Sequence, residues 1–405
     1  MKQRYLIALL LAFVATFAAK AQIFNDSTFR VSIITCYPGQ QVYALYGHTA
    51  IRIQNGDRDM AYNFGMFSFN KPNFIYRFVK GETDYALGSY PFVYFMPEYI
   101  QRNSKVVEQV LNIDNNQARA LYEKLEYLAL PENREYRYNY VLDNCATRPR
   151  DLVEEAVGGI NYPVPADTTL TFRDIMCQYS PNYPWYQFGI DLALGSGIDY
   201  RLDARKQMFA PIYLMTAFEG ATYTDANGNT VPLVAATNVL YNGSESPVLP
   251  PTPWYMTPLF LSWLLLAIFL LVSIHDQRRK KVTRWIDFIW FTITGLTGCL
   301  LFFLIFVSVH EATSPNYLGY WLNPLCFIAS ITIWINSCRK WLYSYHFINF
   351  AVVLVLLATW WLNPQTANAA FFPLMLCTIL RSANYLIIYK SCLLYTSPSP
   401  RDPKT

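Results

Sequence analysis

The chain is poor in charge, in histidine and in paired cysteines, and each shortage excludes something. Asp, Glu, Lys and Arg make up only 15% of the 405 residues, against about 25% in an average soluble protein. Beside 53% hydrophobic residues, so low a charged fraction excludes a wholly soluble or disordered chain and predicts a membrane portion. A net charge of +4 forms no nucleic-acid-binding face, because the basic residues fall where membrane topology needs them. Four histidines and eight cysteines without one C-x-x-C pair offer no ligand spacing for zinc, so neither metal nor cofactor is expected. Three cysteines precede the hydrophobic runs. Their odd number excludes a complete disulfide framework, although Cys36 could pair with Cys177 and leave Cys145 free.

What is present divides the chain in order. Basic residues 1–4, an apolar run 5–18 and Ala19-Lys20-Ala21 read as a signal peptide, cleaved before Gln22. Residues 22–253 then form an extracytoplasmic domain. Strand patterns cover 31–36 and 43–53, and Asn55-Gly56-Asp57 signals a hairpin that returns through 60–65. Aromatic strand material is expected at 74–79 and 85–94. A capped helix starts at Asp114 and runs to Pro131, and irregular structure follows from 162. Residues 254–391 hold five candidate spans at 259–274, 286–307, 321–335, 347–362 and 371–388. Basic clusters at 278–281 and 339–340 put alternate loops inside, which leaves the first domain outside, as a signal peptide requires. Arg381, within the last span, should face protein or snorkel. The end, residues 392–405, resembles translated sequencing-adapter read-through and is expected to be non-native.

One corner of the first domain carries chemistry. Asp143-Asn144-Cys145-Ala146-Thr147-Arg148-Pro149-Arg150-Asp151 presents a thiol just before a helix that Gly158-Gly159 stops. A helix N-terminus and two nearby arginines, Arg148 and Arg150, favour a thiolate. A buried structural cysteine is the bland alternative, and the polar flanks argue against it. The one histidine ahead of the spans that could act as base is His48, on a strand led by Tyr46 and Gly47. A histidine base needs a third polar group to orient it. Asn63 is the first choice and Tyr62 the second, both across the hairpin. Between spans, His310-Glu311 offers a second polar cluster at the outer surface, either a phospholipid-headgroup contact or a solvated loop end.

A histidine strand followed by a cysteine helix resembles the circularly permuted papain-like hydrolases related to lecithin:retinol acyltransferase. The set Cys36-x-Pro38-Gly39, Tyr46-Gly47-His48-Thr49-Ala50-Ile51-Arg52, Tyr62-Asn63-Phe64-Gly65, Asp143-Asn144-Cys145-x-Thr147-Arg148-Pro149-Arg150-Asp151, His310-Glu311-x-Thr313-x-Pro315-Asn316 and Asn323-Pro324 resembles the Bacteroidetes lipoprotein N-acyltransferase family. That resemblance implies an α+β, circularly permuted papain-like domain followed by an all-α bundle of about five membrane helices in the inner membrane. It implies ping-pong acyl transfer from a phospholipid, through a Cys145 thioester with His48 as base, to the α-amine of a diacylglyceryl-cysteine lipoprotein. Catalytic roles are then expected for Cys145, His48 and Asn63. Substrate contacts are expected from Tyr46, Tyr62, Asn144, Arg148, Arg150, His310 and Glu311. Two other classes compete, a cell-wall cysteine peptidase or amidase and a non-catalytic membrane receptor or scaffold. The spans separate the first from a transferase, since a soluble substrate does not need them.

Overall fold

The computed structural model describes residues 28–396, apart from 71 and 247–248. The expected signal peptide and most of the C-terminal tail lie outside the described residues. Among these residues the first domain is built on a seven-stranded antiparallel sheet of order β6-β4-β3-β2-β1-β5-β9. The strands are β1 (Phe29–Cys36), β2 (His48–Asn55), β3 (Arg58–Met66), β4 (Asp84–Pro91), β5 (Val106–Leu111), β6 (Glu135–Arg137) and β9 (Val234–Tyr241). A small separate pair is made by β7 (Thr222–Thr224) and β8 (Thr230–Pro232).

The expected hairpin is present. Asn55 pairs with Arg58, which leaves Gly56-Asp57 as a two-residue turn, and Gly56 takes the positive φ that such turns require. Successive side chains leave the sheet on opposite faces. Val31, Ile33, Ile51, Ile53, Tyr62 and Phe64 pack on one face beneath α3 (Asn115–Ala129) and α4 (Thr147–Val157). Ile34, Cys36, Ala50 and Ala61 pack on the other, against Phe92, Phe95 and Tyr99, the last of these on α2 (Met96–Gln101). Both faces are therefore buried, and the parity of a β2 or β3 residue decides which side it serves.

Helix α3 begins on the expected cap: Asp114 accepts from the Asn116 and Gln117 N–H groups while the Gln117 side chain accepts from Asp114 N–H. Residues 74–80, expected as strand, form helix α1 (Phe74–Lys80), closed by Gly81 at φ 81°. The local pattern suggested a strand, and a distant contact overrides it. Its last carbonyls, which a helix cannot satisfy internally, accept from Ser308 Oγ (to Val79), Val309 N–H (to Lys80) and His310 Nε2 (to Phe78), each at 2.9 Å. Residues from 162 onward are also more ordered than expected, with α5 (Phe172–Gln178), α6 (Pro184–Ala193), α7 (Ala204–Gln207), α8 (Pro211–Glu219) and β9.

The second region holds α9 (Pro258–Arg279), α10 (Arg284–Phe306), α11 (Pro324–Thr332), α12 (Arg339–Ala358) and α13 (Phe371–Thr396). Among the described residues four helices are long and apolar enough to cross a membrane. The expected third span, 321–335, contains only the nine-residue α11. The segment still runs antiparallel to α10. Gly319 lies against Ile305, Gly298 and Gly295 leave no room for a Cβ against Asn323 and Phe327, and Trp334 stacks edge-on to Trp285. A 3-10 turn over Tyr317–Tyr320 lengthens it, since 3-10 structure rises about 2.0 Å per residue against about 1.5 Å in an α-helix. Arg381 faces protein: its guanidinium binds Asp287 (2.5 Å), Asp276 (2.9 Å) and Ser273 (3.0 Å), all buried.

Candidate active site

The Cys145 corner is shaped by Asn144. Its Oδ1 accepts from Ala146 N–H (2.8 Å) and Thr147 N–H (3.0 Å), which caps α4. Its Nδ2 donates to the Tyr140 and Phe209 carbonyls. Pro149 sits in the first turn, where its missing N–H costs nothing. The thiol is thus held two residues ahead of a helix start, half-buried.

Strands β2 and β3 carry the candidate base, His48, and its partner Asn63. Their pairing stops at Ile51 and Tyr62, and β3 bulges between Asn63 and Met66. The Thr49 main chain lies on the Cys145 side of this splay, close enough for its N–H to favour the thiolate. Gly65, at φ 92°, leaves the space into which Cys145 fits: a Cβ there would stand 3.6 Å from the Cys145 Cβ. His48 is the neighbour of Thr49 on β2. Its Nε2 lies 2.5 Å from Asn63 Oδ1, and Asn63 Nδ2 donates to the Tyr90 hydroxyl at 2.8 Å. Because Oδ1 only accepts, Nε2 carries the hydrogen and Nδ1 is the basic nitrogen.

Burial sets the protonation of the pair. It pushes the Cys145 thiol up to about 11, against the lowering effect of the Thr49 and Cys145 N–H groups. It also lowers His48 to about 4, with the Asn63 hydrogen bond pulling the other way and Arg102 adding to the lowering. The resting pair is therefore neutral thiol and neutral imidazole, not the thiolate that the helix start and arginines suggested. The arginines are engaged elsewhere. Arg148 forms a two-pronged pair with Asp143 (2.6 and 2.7 Å) and lies over the Tyr136 ring at 3.5 Å. Arg150 is buried and donates to Asp151 and the Arg205 carbonyl.

The other expected residues divide. Tyr46 is half-buried near His48, with its hydroxyl 3.1 Å from that of Tyr186. Tyr62, one residue from Asn63, has the opposite parity: it is fully buried beneath α3 and donates to Glu126, so it can neither orient His48 nor meet substrate. Asn144 spends its Oδ1 on the helix start and its Nδ2 on the Tyr140 and Phe209 carbonyls. His310 closes α1 and lies 5.7 Å, ring to ring, from Tyr140, whose buried hydroxyl has no hydrogen-bond partner among the described residues. Glu311 is exposed, and its main chain abuts Gly197 with no room for a Cβ. Cys36 and Cys177 are both free, so the possible disulfide is not formed. Cys36 lies opposite His48 on β1, deep in the sheet core.

Sequence reasoning missed Thr49, Gly65 and Tyr90, which act through a bulge no local pattern announces. It also missed a clamp under the site. Arg173 on α5 binds Asp199 (2.7 Å), Asp191 (2.8 Å) and the Leu194 and Gly195 carbonyls (3.0 Å each). Asp191 in turn accepts from Asn368 (2.9 Å) and Asp199 from Thr366 N–H (3.3 Å), both on the loop before α13. Main-chain bonds from Gly195 to Ala312 and from Ser196 to Pro315 tie the same region to the loop after α10.

Two family models match the chain, the Lnb N-terminal periplasmic domain over residues 17–174 and the Lnb transmembrane domain over residues 251–392. The chain belongs to the Lnb family. Its architecture is accordingly a periplasmic α/β domain joined to a multi-pass membrane domain, as in the Lnb pair of models. The Lnb periplasmic match ends within α5, whereas the sheet continues to β9. Neither a curated protein nor a solved structure matches the chain.

Proposed function

We propose that this protein is an inner-membrane acyltransferase that moves an acyl chain from a phospholipid, through a thioester on Cys145, to the α-amine of a diacylglyceryl-cysteine lipoprotein. One observation supports the reading: Cys145 packs against Gly65 on β3, the strand whose Asn63 holds His48, and Tyr140 and His310 join this corner to a loop between apolar helices. The reacting groups of both substrates lie at headgroup level, so a thiol fixed there meets them by a confined search.

His48 Nδ1 takes the thiol proton as the sulfur attacks the ester carbonyl, and the Cys145 N–H is placed to meet the developing oxyanion. The carbon–oxygen bond to the glycerol breaks, and His48 returns its proton to that oxygen as lysophospholipid leaves. The neutral lipoprotein amine then attacks the thioester carbonyl. Its proton passes through His48 to the departing sulfur, which restores the thiol and leaves an amide. Asn63 holds the imidazole in the tautomer that both steps require. A neutral resting pair suits an enzyme whose thiol should ignore other electrophiles until an ester is bound.

The test is Cys145→Ala in a cell that relies on this protein, with mass spectrometry of lipoprotein N-terminal peptides. Loss of the N-linked acyl mass is expected; unchanged N-acylation would overturn the proposal, and cleaved peptides in its place would indicate a peptidase.

A further inference from the structure

Helix α1 is fastened to the end of the apolar helix α10. Ser308, Val309 and His310, which follow directly on the end of α10, close its C-terminal carbonyls. Tyr76 packs edge-on against Phe303, within the last turn of α10, and Val79 packs into the apolar core of the membrane domain. On and just before α1 apolar side chains are nevertheless open: Ile75 is 76% exposed and Phe69 70%, Met66 is exposed, and Tyr76 and Phe78 stay exposed beside their contacts with α10 and its loop. The cations of this helix are held within the protein, Arg77 by Asp84 and Lys80 by Glu82. A patch of this kind, in water, is uncommon on a folded domain.

Behind the patch runs a line of rings. Phe69 meets Phe74 at 5.0 Å between centroids, Phe74 meets Phe67 at 5.9 Å, Phe67 meets Tyr85 at 5.1 Å and Tyr85 stacks on Tyr138 at 4.0 Å. Tyr138 and Cys145 then converge on Gly65, where a Cβ would stand 3.7 Å from one and 3.6 Å from the other. An unbroken line of aromatic contacts thus runs from α1, fastened to the end of α10, to the residues around the thiol.

We propose that α1 and Phe69 form a wedge seated among the acyl chains of the outer leaflet, and that the Phe74–Phe67–Tyr85–Tyr138 stack is the wall along which a phospholipid acyl chain reaches Cys145. The seat follows from the attachment of α1 to α10, since its open face meets the level where lipid starts. The wall rests on the acyl-transfer reading as well; it gives the donor's apolar chain a surface that water does not favour.

The experiment places the photoreactive residue benzoylphenylalanine at position 75 in the full chain, reconstituted in nanodiscs of phosphatidylethanolamine and phosphatidylglycerol. Position 164, where Val164 is 83% exposed, serves as the comparison. Irradiation should add one phospholipid mass at 75 and none at 164. No lipid adduct at 75, or equal adducts at both, would overturn the wedge whatever the catalytic outcome. In the same nanodiscs Phe67→Ser, within the wall, should slow acyl loading of Cys145 roughly tenfold, about the worth of one buried aromatic side chain. Unchanged loading would overturn the wall, whereas no loading in the unsubstituted protein would overturn the acyl-transfer reading and leave the crosslink to decide the wedge alone.

Discussion

Two buried polar clusters of the periplasmic domain sit close to the membrane helices and differ in how completely they are satisfied. Around Arg173 the partners close on one another: its guanidinium meets two carboxylates and two carbonyls, and those carboxylates also accept from Gln187, Asn368 and Thr366. Around Cys145 the set is neutral and open at one end, with His48 Nδ1 basic and, among the described residues, no charged side chain paired with the thiol. A closed cluster of charges fixes geometry, because breaking it strands a charge away from water. An open neutral cluster holds its shape at little cost and keeps a proton acceptor in reserve. The first sets where the domain stands over the membrane, and the second is where chemistry can happen.

The contrast predicts opposite responses to substitution. His48→Gln should lower acyl loading of Cys145 by roughly 10²–10⁴-fold, the usual worth of a general base, while thermal unfolding in detergent moves little. A large loss of stability with activity per folded molecule retained would break the comparison. Arg173→Met should do the reverse, destabilising the domain by about 3–5 kcal/mol because Asp191 and Asp199 lose their cation in a buried setting. A melting temperature equal to that of the unsubstituted protein would show that the clamp is ornamental. The smallest effect is expected from pH. His48 loses its role only as pH falls through about 4, and Cys145 ionises only as pH rises toward about 11. The loading rate should therefore stay nearly level between about pH 5.5 and 9. An acid limb centred between about pH 6 and 7 would indicate that His48 titrates as an ordinary, solvated imidazole rather than a buried one.

The same contrast explains what could be read from the sequence. His48, Asn63 and Cys145 were legible because strand parity, a hairpin turn and a helix cap are local signals, and the capped α3 and the four long apolar helices were legible for the same reason. Tyr62 was misread by one step of parity, which sends it to α3 rather than to His48. The arginines were read as thiolate-stabilising, whereas Arg148 pairs with Asp143 of the same motif and Arg150 donates to the Arg205 carbonyl, which only the fold brings near. Helix α1 looked like a strand because what closes its C-terminus lies more than two hundred residues away. The Arg173 clamp is spread over four segments whose meeting no spacing records, and the break at α11 depends on how closely Gly295 and Gly298 admit it.

The most direct test is to incubate the purified full chain with phospholipid in the absence of lipoprotein, quench in acid and weigh the peptide that contains Cys145. The account predicts one acyl chain on that peptide, removed by hydroxylamine and absent from Cys145→Ala. An unmodified Cys145 peptide from a preparation that still acylates lipoprotein would contradict it.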